Sequence, residues 1–176
     1  GRLRADQAGM LSTVINALVF QDALEKRGVD ACVYSGLGVE GAVPRFDSDR
    51  ARSDLADGKV VIFAGGTGNP LFTTDTAAAL RGIQMGVDII LKATRVDGVF
   101  SSDPENSDDA QRFDHLDYHQ VLSRRLGVMD LCAVSLCMEH RLPVRVFNYQ
   151  QKDNIYNALS GKSVGTLIGA KNHGHG

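Results

Sequence analysis

Lys59-Val60-Val61-Ile62-Phe63-Ala64-Gly65-Gly66-Thr67-Gly68-Asn69-Pro70-Leu71-Phe72-Thr73-Thr74-Asp75 reads as a buried strand that breaks into a glycine-rich loop and then a helix. The run from Val60 to Ala64 is apolar without alternation, the pattern of a strand covered on both faces in a parallel sheet. A helix is expected from about Thr74 to Met85, closed by Gly86, and a second apolar strand from Val87 to Ala93, so the segment forms a strand-helix-strand unit. Open α/β sheets bind ligands where such a loop leaves the carboxyl end of a strand. Glycines let backbone amides approach an anion, Thr67, Thr73 and Thr74 add hydroxyl donors, and the helix dipole favours negative charge. A phosphate is the natural guest, with a purely structural loop as the alternative. The loop is no Walker A motif, since no Gly-Lys-Ser/Thr follows, and no GxGxxG fingerprint, since Leu71 stands where the third glycine would be. Asp75, in the first turn of the helix, reads equally as a dipole-pairing residue.

Upstream, the apolar residues Met10, Leu11, Val14, Ile15, Leu18, Val19 and Phe20 recur at helical spacing between Asp6 and Arg27, and Gly28 supplies the stop. That apolar face is too wide for a simple surface helix; it is deeply buried or forms half of a subunit contact. A short strand at 30–34 and a helix around Asp47 to Leu55 follow. Downstream come helices at about Asp117 to Arg125 and Asp130 to Arg141, each opening on an aspartate suited to capping free amides. A strand from Val144 to Phe147, a short helix from Asp153 to Leu159 and a strand from Gly165 to Ile168 complete an alternating α/β order.

The composition narrows the function. The 176 residues, 43% hydrophobic, suit one domain with a sizeable core. With 19 basic and 21 acidic side chains the formal net charge is −2, which gives no surplus for polyanions and disfavours nucleic-acid binding. No apolar run is long enough for a bilayer and the N-terminus lacks the apolar stretch of a secretory signal, so the expectation is a cytoplasmic protein with no membrane partner. Cys32, Cys132 and Cys137 lie in apolar stretches and read as buried reduced thiols. A metal site at Cys132, Cys137 and His140 is not expected, because a helical step of five turns the two sulfurs apart. Residues 170–176, with His173 and His175 among glycines, read as a flexible tail.

A second constellation, Lys92-Ala93-Thr94-Arg95-Val96-Asp97-Gly98-Val99-Phe100-Ser101-Ser102-Asp103-Pro104, also follows directly on a strand. An aromatic and a carboxylate beside a turn can stack a base and hold ribose hydroxyls; Asp-Gly and Asp-Pro are also ordinary turn pairs, so a solvated turn is the competing reading. An EF-hand is excluded by the spacing of Asp97 and Asp103 and the lack of a closing glutamate.

From Asp6 to Ile168 the chain resembles the bacterial uridylate kinases of the amino acid kinase superfamily. Gly66 to Asp75 looks like the family's GTGNPFFTTD acceptor loop, with Leu71 in place of a usual Phe. Lys92 to Pro104 looks like KATKVDGVFxxDP, Val128-Met129-Asp130-Leu131 like VMDL, and Pro143-Val144-Arg145-Val146-Phe147-Asn148 like PIRVFN. The resemblance implies a three-layer α/β sandwich with a mostly parallel sheet, like carbamate kinase. One amino acid kinase domain would span 1–169.

It also implies transfer of the γ-phosphoryl of ATP, with Mg²⁺, to UMP in pyrimidine nucleotide biosynthesis. By the resemblance, UMP is held by Asp6, through its ribose, and by Thr67, Gly68, Asn69, Pro70, Leu71, Phe72, Thr73 and Thr74. ATP is held by Thr94, Phe100 and Asp103, while Asp75 and Asp130 are the acidic residues of the active site; Lys92 or Arg95 can supply charge, with a solvated role for each as the alternative. A homo-oligomer, hexameric in the family, is implied. Gln7-Ala8 departs from a usual His-Met. The family's opening Lys-x-Ser-Gly-Glu strand and Gly-Gly-Gly-Asn loop, which bind the donor phosphates, do not occur in the sequence. The expectation is therefore a domain truncated at its N-terminus, with an exposed sheet edge and little activity alone. A superfamily kinase with a carboxylate or carbamate acceptor, and a non-catalytic nucleotide-sensing subunit, are the alternatives.

Overall fold

The structure, a computed structural model, describes residues 1–102 and 109–169; Asp103 and the 170–176 tail lie outside the described residues. The chain gathers into two compact units, Gly1–Met85 and Gly86–Gly176.

The first unit runs α1 (Arg2–Glu25), β1 (Ala31–Ser35), α2 (Ser48–Ala56), β2 (Val60–Ala64) and α3 (Thr74–Met85). β1 and β2 pair in parallel, from Ala31 opposite Val60 to Ser35 opposite Ala64. α1 packs on both strands, and Val14, Ala17, Val33, Val43 and Ala64 form the buried cluster between them. The helix starts earlier than the apolar spacing suggested, and it is not deeply buried. Only the stripe holding Val14 and Ala17 meets the strands, and Leu11, Ile15, Leu18, Val19 and Phe20 lie exposed on its other sides. β2 is likewise less covered than its apolar run implied. Val60 is exposed and Val61, Ile62 and Phe63 are half-buried, because the sheet of this unit has two strands.

α2 starts where Asp47 caps it, accepting the amides of Asp49 and Arg50, each at 3.0 Å. Near its end Asp54 forms a polar knot under β1. Its Oδ2 accepts the Tyr34 hydroxyl at 2.5 Å and the Cys32 thiol at 3.4 Å, while Oδ1 pairs with Lys59 Nζ at 2.6 Å. Hydrogen bonds from Lys59 and Tyr34 hold the Asp54 carboxyl down to about 2, and burial, reinforced by Asp54, pushes Tyr34 up to about 12 and Cys32 to about 11. α3 occupies the expected residues. Its buried Arg81 stacks on Phe46, 4.1 Å from the ring centroid, and donates to Gln84 Oε1 at 2.6 Å.

The second unit contains β3 (Ile90–Thr94), β4 (Val99–Phe100), β5 (Arg112–Phe113), β6 (His115–Leu116), α4 (Tyr118–Ser123), α5 (Leu131–Glu139), β7 (Val144–Asn148), α6 (Asn154–Leu159) and β8 (Thr166–Ile168). Four strands form one sheet in the order β3-β7-β8-β6, with β3–β7 and β6–β8 parallel and β7–β8 antiparallel; β4 and β5 pair antiparallel separately. The fold is α/β with mainly parallel pairing, as expected. The strand-helix-strand order is present as β2, α3 and β3, with β3 beginning at Ile90 rather than Val87 and pairing with β7. Both expected aspartate caps are present. Asp117 forms a capping box with Gln120, and Asp130 accepts the amides of Cys132 and Ala133 at 2.9 and 3.1 Å. Of the three cysteines only Cys137 is buried. Cys132 is exposed and Cys32 half-buried, since the helix turns 132 outward when 137 faces the core.

Candidate active site

Each unit carries a cavity where a loop leaves the end of a parallel strand. In the first unit Thr13 on α1 sets the loop's entry: its hydroxyl donates to Met10 O at 2.7 Å and accepts the Gly65 amide at 2.8 Å. The loop then folds tightly against the turn after β1. A Cβ on Gly36 would stand 2.5 Å from the Gly68 amide nitrogen, and one on Gly68 would stand 2.5 Å from the Gly36 carbonyl oxygen. Nothing but glycine fits at either place. Leu71 follows with φ of 74°, in the left-handed region that costs a branched side chain strain, and its amide is held by Asp6 Oδ2 at 2.8 Å. The Thr73 hydroxyl caps α3, accepting the amides of Asp75 and Thr76 at 3.1 and 3.3 Å.

This arrangement leaves a cavity of about 300 Å³. Of the residues expected there, Asp6, Thr67, Asn69, Pro70, Phe72, Thr73 and Thr74 line it. Gly68 and Leu71 do not: Gly68 is spent on the close approach to Gly36, and Leu71 on its contact with Asp6. Part of the loop's supply of amides is engaged inside the protein. The amides of Gly65, Gly68, Asn69, Leu71, Asp75 and Thr76 all have partners within the protein. Gly9, Met10 and Thr13 of α1 also line the cavity, and sequence reading missed them. Their signal was available, since 6, 9, 10 and 13 share one helical face.

In the second unit a cavity of about 310 Å³ opens beside β3 and is lined by Lys92, Thr94, Val99, Phe100, Val128 and neighbours. It brings together Thr94 and Phe100, as the ATP expectation required. Thr94 Oγ1 accepts the Val96 amide at 3.1 Å and donates to Val96 O at 2.7 Å, which closes the turn after β3. Arg112 Nη1 pairs with Asp97 Oδ2 at 2.6 Å and pins the far side of that turn. Lys92 Nζ donates to Val128 O at 2.7 Å, tying the strand to the segment that leads into Asp130. Asp75 and Asp130 line neither cavity. Asp75 stands in the first turn of α3 and Asp130 caps α5.

Among the described residues no group of three or more His, Cys, Asp or Glu is gathered to hold a metal by itself, and no helix is long and apolar enough to cross a membrane. Two cavities of about 300 Å³, each beside a strand end, stand where open α/β sheets bind small ligands.

The sequence profile described as the amino acid kinase family matches residues 2–148, and the chain belongs to that family. Among its relatives, the uridylate kinase of Pseudomonas syringae pv. syringae (strain B728a) is 48% identical over 167 residues, covering 95% of this chain and 68% of that one. The uridylate kinase of Alcanivorax borkumensis is 46% identical over 169 residues, 96% of this chain and 67% of the relative. The crystal structure of UMP kinase from Bacillus anthracis superposes with a TM-score of 0.92 at 35% identity, covering 96% of this chain and 70% of that one. That of Ureaplasma parvum UMP kinase gives 0.91 at 33%, with 97% and 73% covered.

Proposed function

We propose that this chain belongs to a uridylate kinase, transferring the γ-phosphoryl group of ATP to UMP to give UDP and ADP. The observation that carries the reading is the first unit's cavity, where Asp6 of α1 meets Thr67, Asn69, Pro70, Phe72, Thr73 and Thr74 of the acceptor-loop motif. UMP occupies this cavity, and ATP the second unit's cavity, with its base near Phe100 and its ribose or phosphates near Thr94 and Lys92. Asp103 belongs to the same segment in sequence. The two units work as one kinase domain.

The acceptor is itself a phosphate with a second pKa near 6, so its oxygen is ionised at neutral pH and needs no general base. What remains is alignment and charge. The chain's part is to hold two anions in line and to surround the transferring group with donors. Magnesium enters with ATP as the substrate complex, neutralising charge on its phosphates. Asp75 and Asp130, both at helix starts, orient the basic groups and water around those phosphates. The exposed apolar side of α1, with Leu11, Ile15, Leu18, Val19 and Phe20, takes part in a homo-oligomer, and the protein works in the cytoplasm.

A coupled ADP-release assay on the gene product, with whatever coding sequence flanks residues 1–176, tests this. Turnover is expected with UMP and none with amino acid or carbamate acceptors. The reverse pattern would move the protein to another branch of the superfamily, and UMP binding without turnover would make it a nucleotide sensor.

A further inference from the structure

The donor segment between β3 and β4 is tied down on its exposed side by Thr94 and Arg112. A third tie is buried and comes from the opposite end of the chain. Thr166, the first residue of β8, is fully buried. Its Oγ1 accepts the Val99 amide at 2.8 Å and donates to the Phe113 carbonyl. Val99 and Phe113 are register partners across β4 and β5. The hydroxyl is therefore a relay inserted in a rung of that ladder, using its one proton and one lone pair in opposite directions. The neighbouring backbone leaves it room by omitting a side chain. Gly98 has φ of 110°, and a Cβ there would stand 2.5 Å from Thr166 Oγ1.

Val99 and Phe100 line the second cavity, so whatever fixes Val99 sets the place of the Phe100 ring one residue on. We infer that Thr166 is a positioning residue for the ATP site: through the Val99 amide it holds the β4 backbone, and with it Phe100, in the geometry that receives the donor nucleotide. The inference rests on the proposed function, and it extends that reading to a residue that touches no ligand. A valine at 166 puts a methyl group in place of the hydroxyl and removes both of its functions, taking the partner from the buried Val99 amide and from the Phe113 carbonyl. A serine keeps the relay.

The test is calorimetric titration of the gene product and its Thr166→Val and Thr166→Ser variants with ATP and, separately, UMP, beside hydrogen exchange of the 95–102 peptide. For Thr166→Val the inference expects ATP affinity to fall about tenfold, as orphaning a buried amide predicts. UMP affinity should hold, and the Val99 amide should exchange faster. Thr166→Ser should recover ATP binding. Equal ATP affinity for wild type and Thr166→Val, whatever the change in melting temperature, would overturn the inference and leave the kinase reading standing. A parallel loss of ATP and UMP binding would overturn it too, showing a general structural defect. No ATP binding by the wild type would overturn the donor-site reading itself, and this inference with it. If Thr166→Val fails to fold, Thr166→Ala combined with the exchange measurement on the Val99 amide decides between the same outcomes.

Discussion

The Gly1–Met85 unit and the Gly86–Gly176 unit position the loops beside their cavities by opposite means. In the first, the loop after β2 is held by crowding: Gly36 and Gly68 approach so closely that any side chain would enter backbone, and Leu71 is held in a strained turn by Asp6. In the second, the segment after β3 is held by side chains that reach to it, namely Thr94, Arg112 and the buried Thr166. Both share one device, a threonine hydroxyl that accepts the amide at a loop's edge while donating to a carbonyl: Thr13 in one unit and Thr166 in the other. The contrast teaches that a loop whose backbone must pass close to a neighbouring turn is shaped by removing side chains. A segment that presents an aromatic ring needs only its backbone fixed, and hydrogen bonds suffice.

The largest effect should break the crowded loop. Gly36→Ala places a methyl group against the Gly68 amide and the carbonyls of Gly65 and Gly66. It should cost roughly 3 kcal/mol in a denaturant melt, as overpacking against backbone does, and should abolish UMP binding while ATP binding persists. Retained UMP affinity in calorimetry would show that the loop can yield, and the contrast between the units would fail.

A smaller effect should come from Thr13→Val, which strands the Gly65 amide. A loss of about 2 kcal/mol is expected for a buried donor left without its acceptor, together with several-fold weaker UMP binding and restoration by Thr13→Ser. Equal weakening of UMP and ATP binding would deny that each threonine serves its own unit.

The smallest effect concerns acid. Asp54 is held down to about 2 from an ordinary 3.8, so the stability it contributes is complete above about 3.8 and is lost as pH falls through about 2. Tyr34 and Cys32 are raised to about 12 and 11, and Cys137 in the second unit to about 11. Stability from these neutral acids is present below their ordinary values and lost as pH rises through the raised ones. Alkali therefore weakens both units, and the acid loss that Asp54 brings falls on the first. Between about pH 4 and 2, hydrogen exchange in β1 and α2 should accelerate before that in β7 and β8, and Asp54→Asn should remove the difference. Simultaneous acceleration would mean that the knot carries no stability.

Much of the candidate site was legible because it is local. The loop from Gly65 to Thr74 announces itself through glycines and hydroxyls at a strand end, and Asp117 and Asp130 through their position ahead of apolar helical spacing. Val60 to Ala64 was legible as a strand, but its burial was not, because an apolar run does not say how many strands flank it. The pairing of β3 with β7 was hidden for a similar reason: a hydrophobic strand fits any neighbour, and Val144 to Asn148 matches Ile90 to Thr94 only once both are placed. The short strands β4, β5 and β6 carry too few residues to show a period.

The sequence by itself determined the family and the reaction it implies, since four motifs match the family's pattern in order. It also determined where α4 and α5 start, because a cap acts over a few neighbouring residues. Only the tertiary structure decided that Asp6 grips Leu71, that Gly36 must be bare so that Gly68 can approach, and that Thr166 fixes Val99. Those contacts join residues tens of positions apart, and a hydroxyl or a missing Cβ carries no mark of its distant partner until the chain is folded.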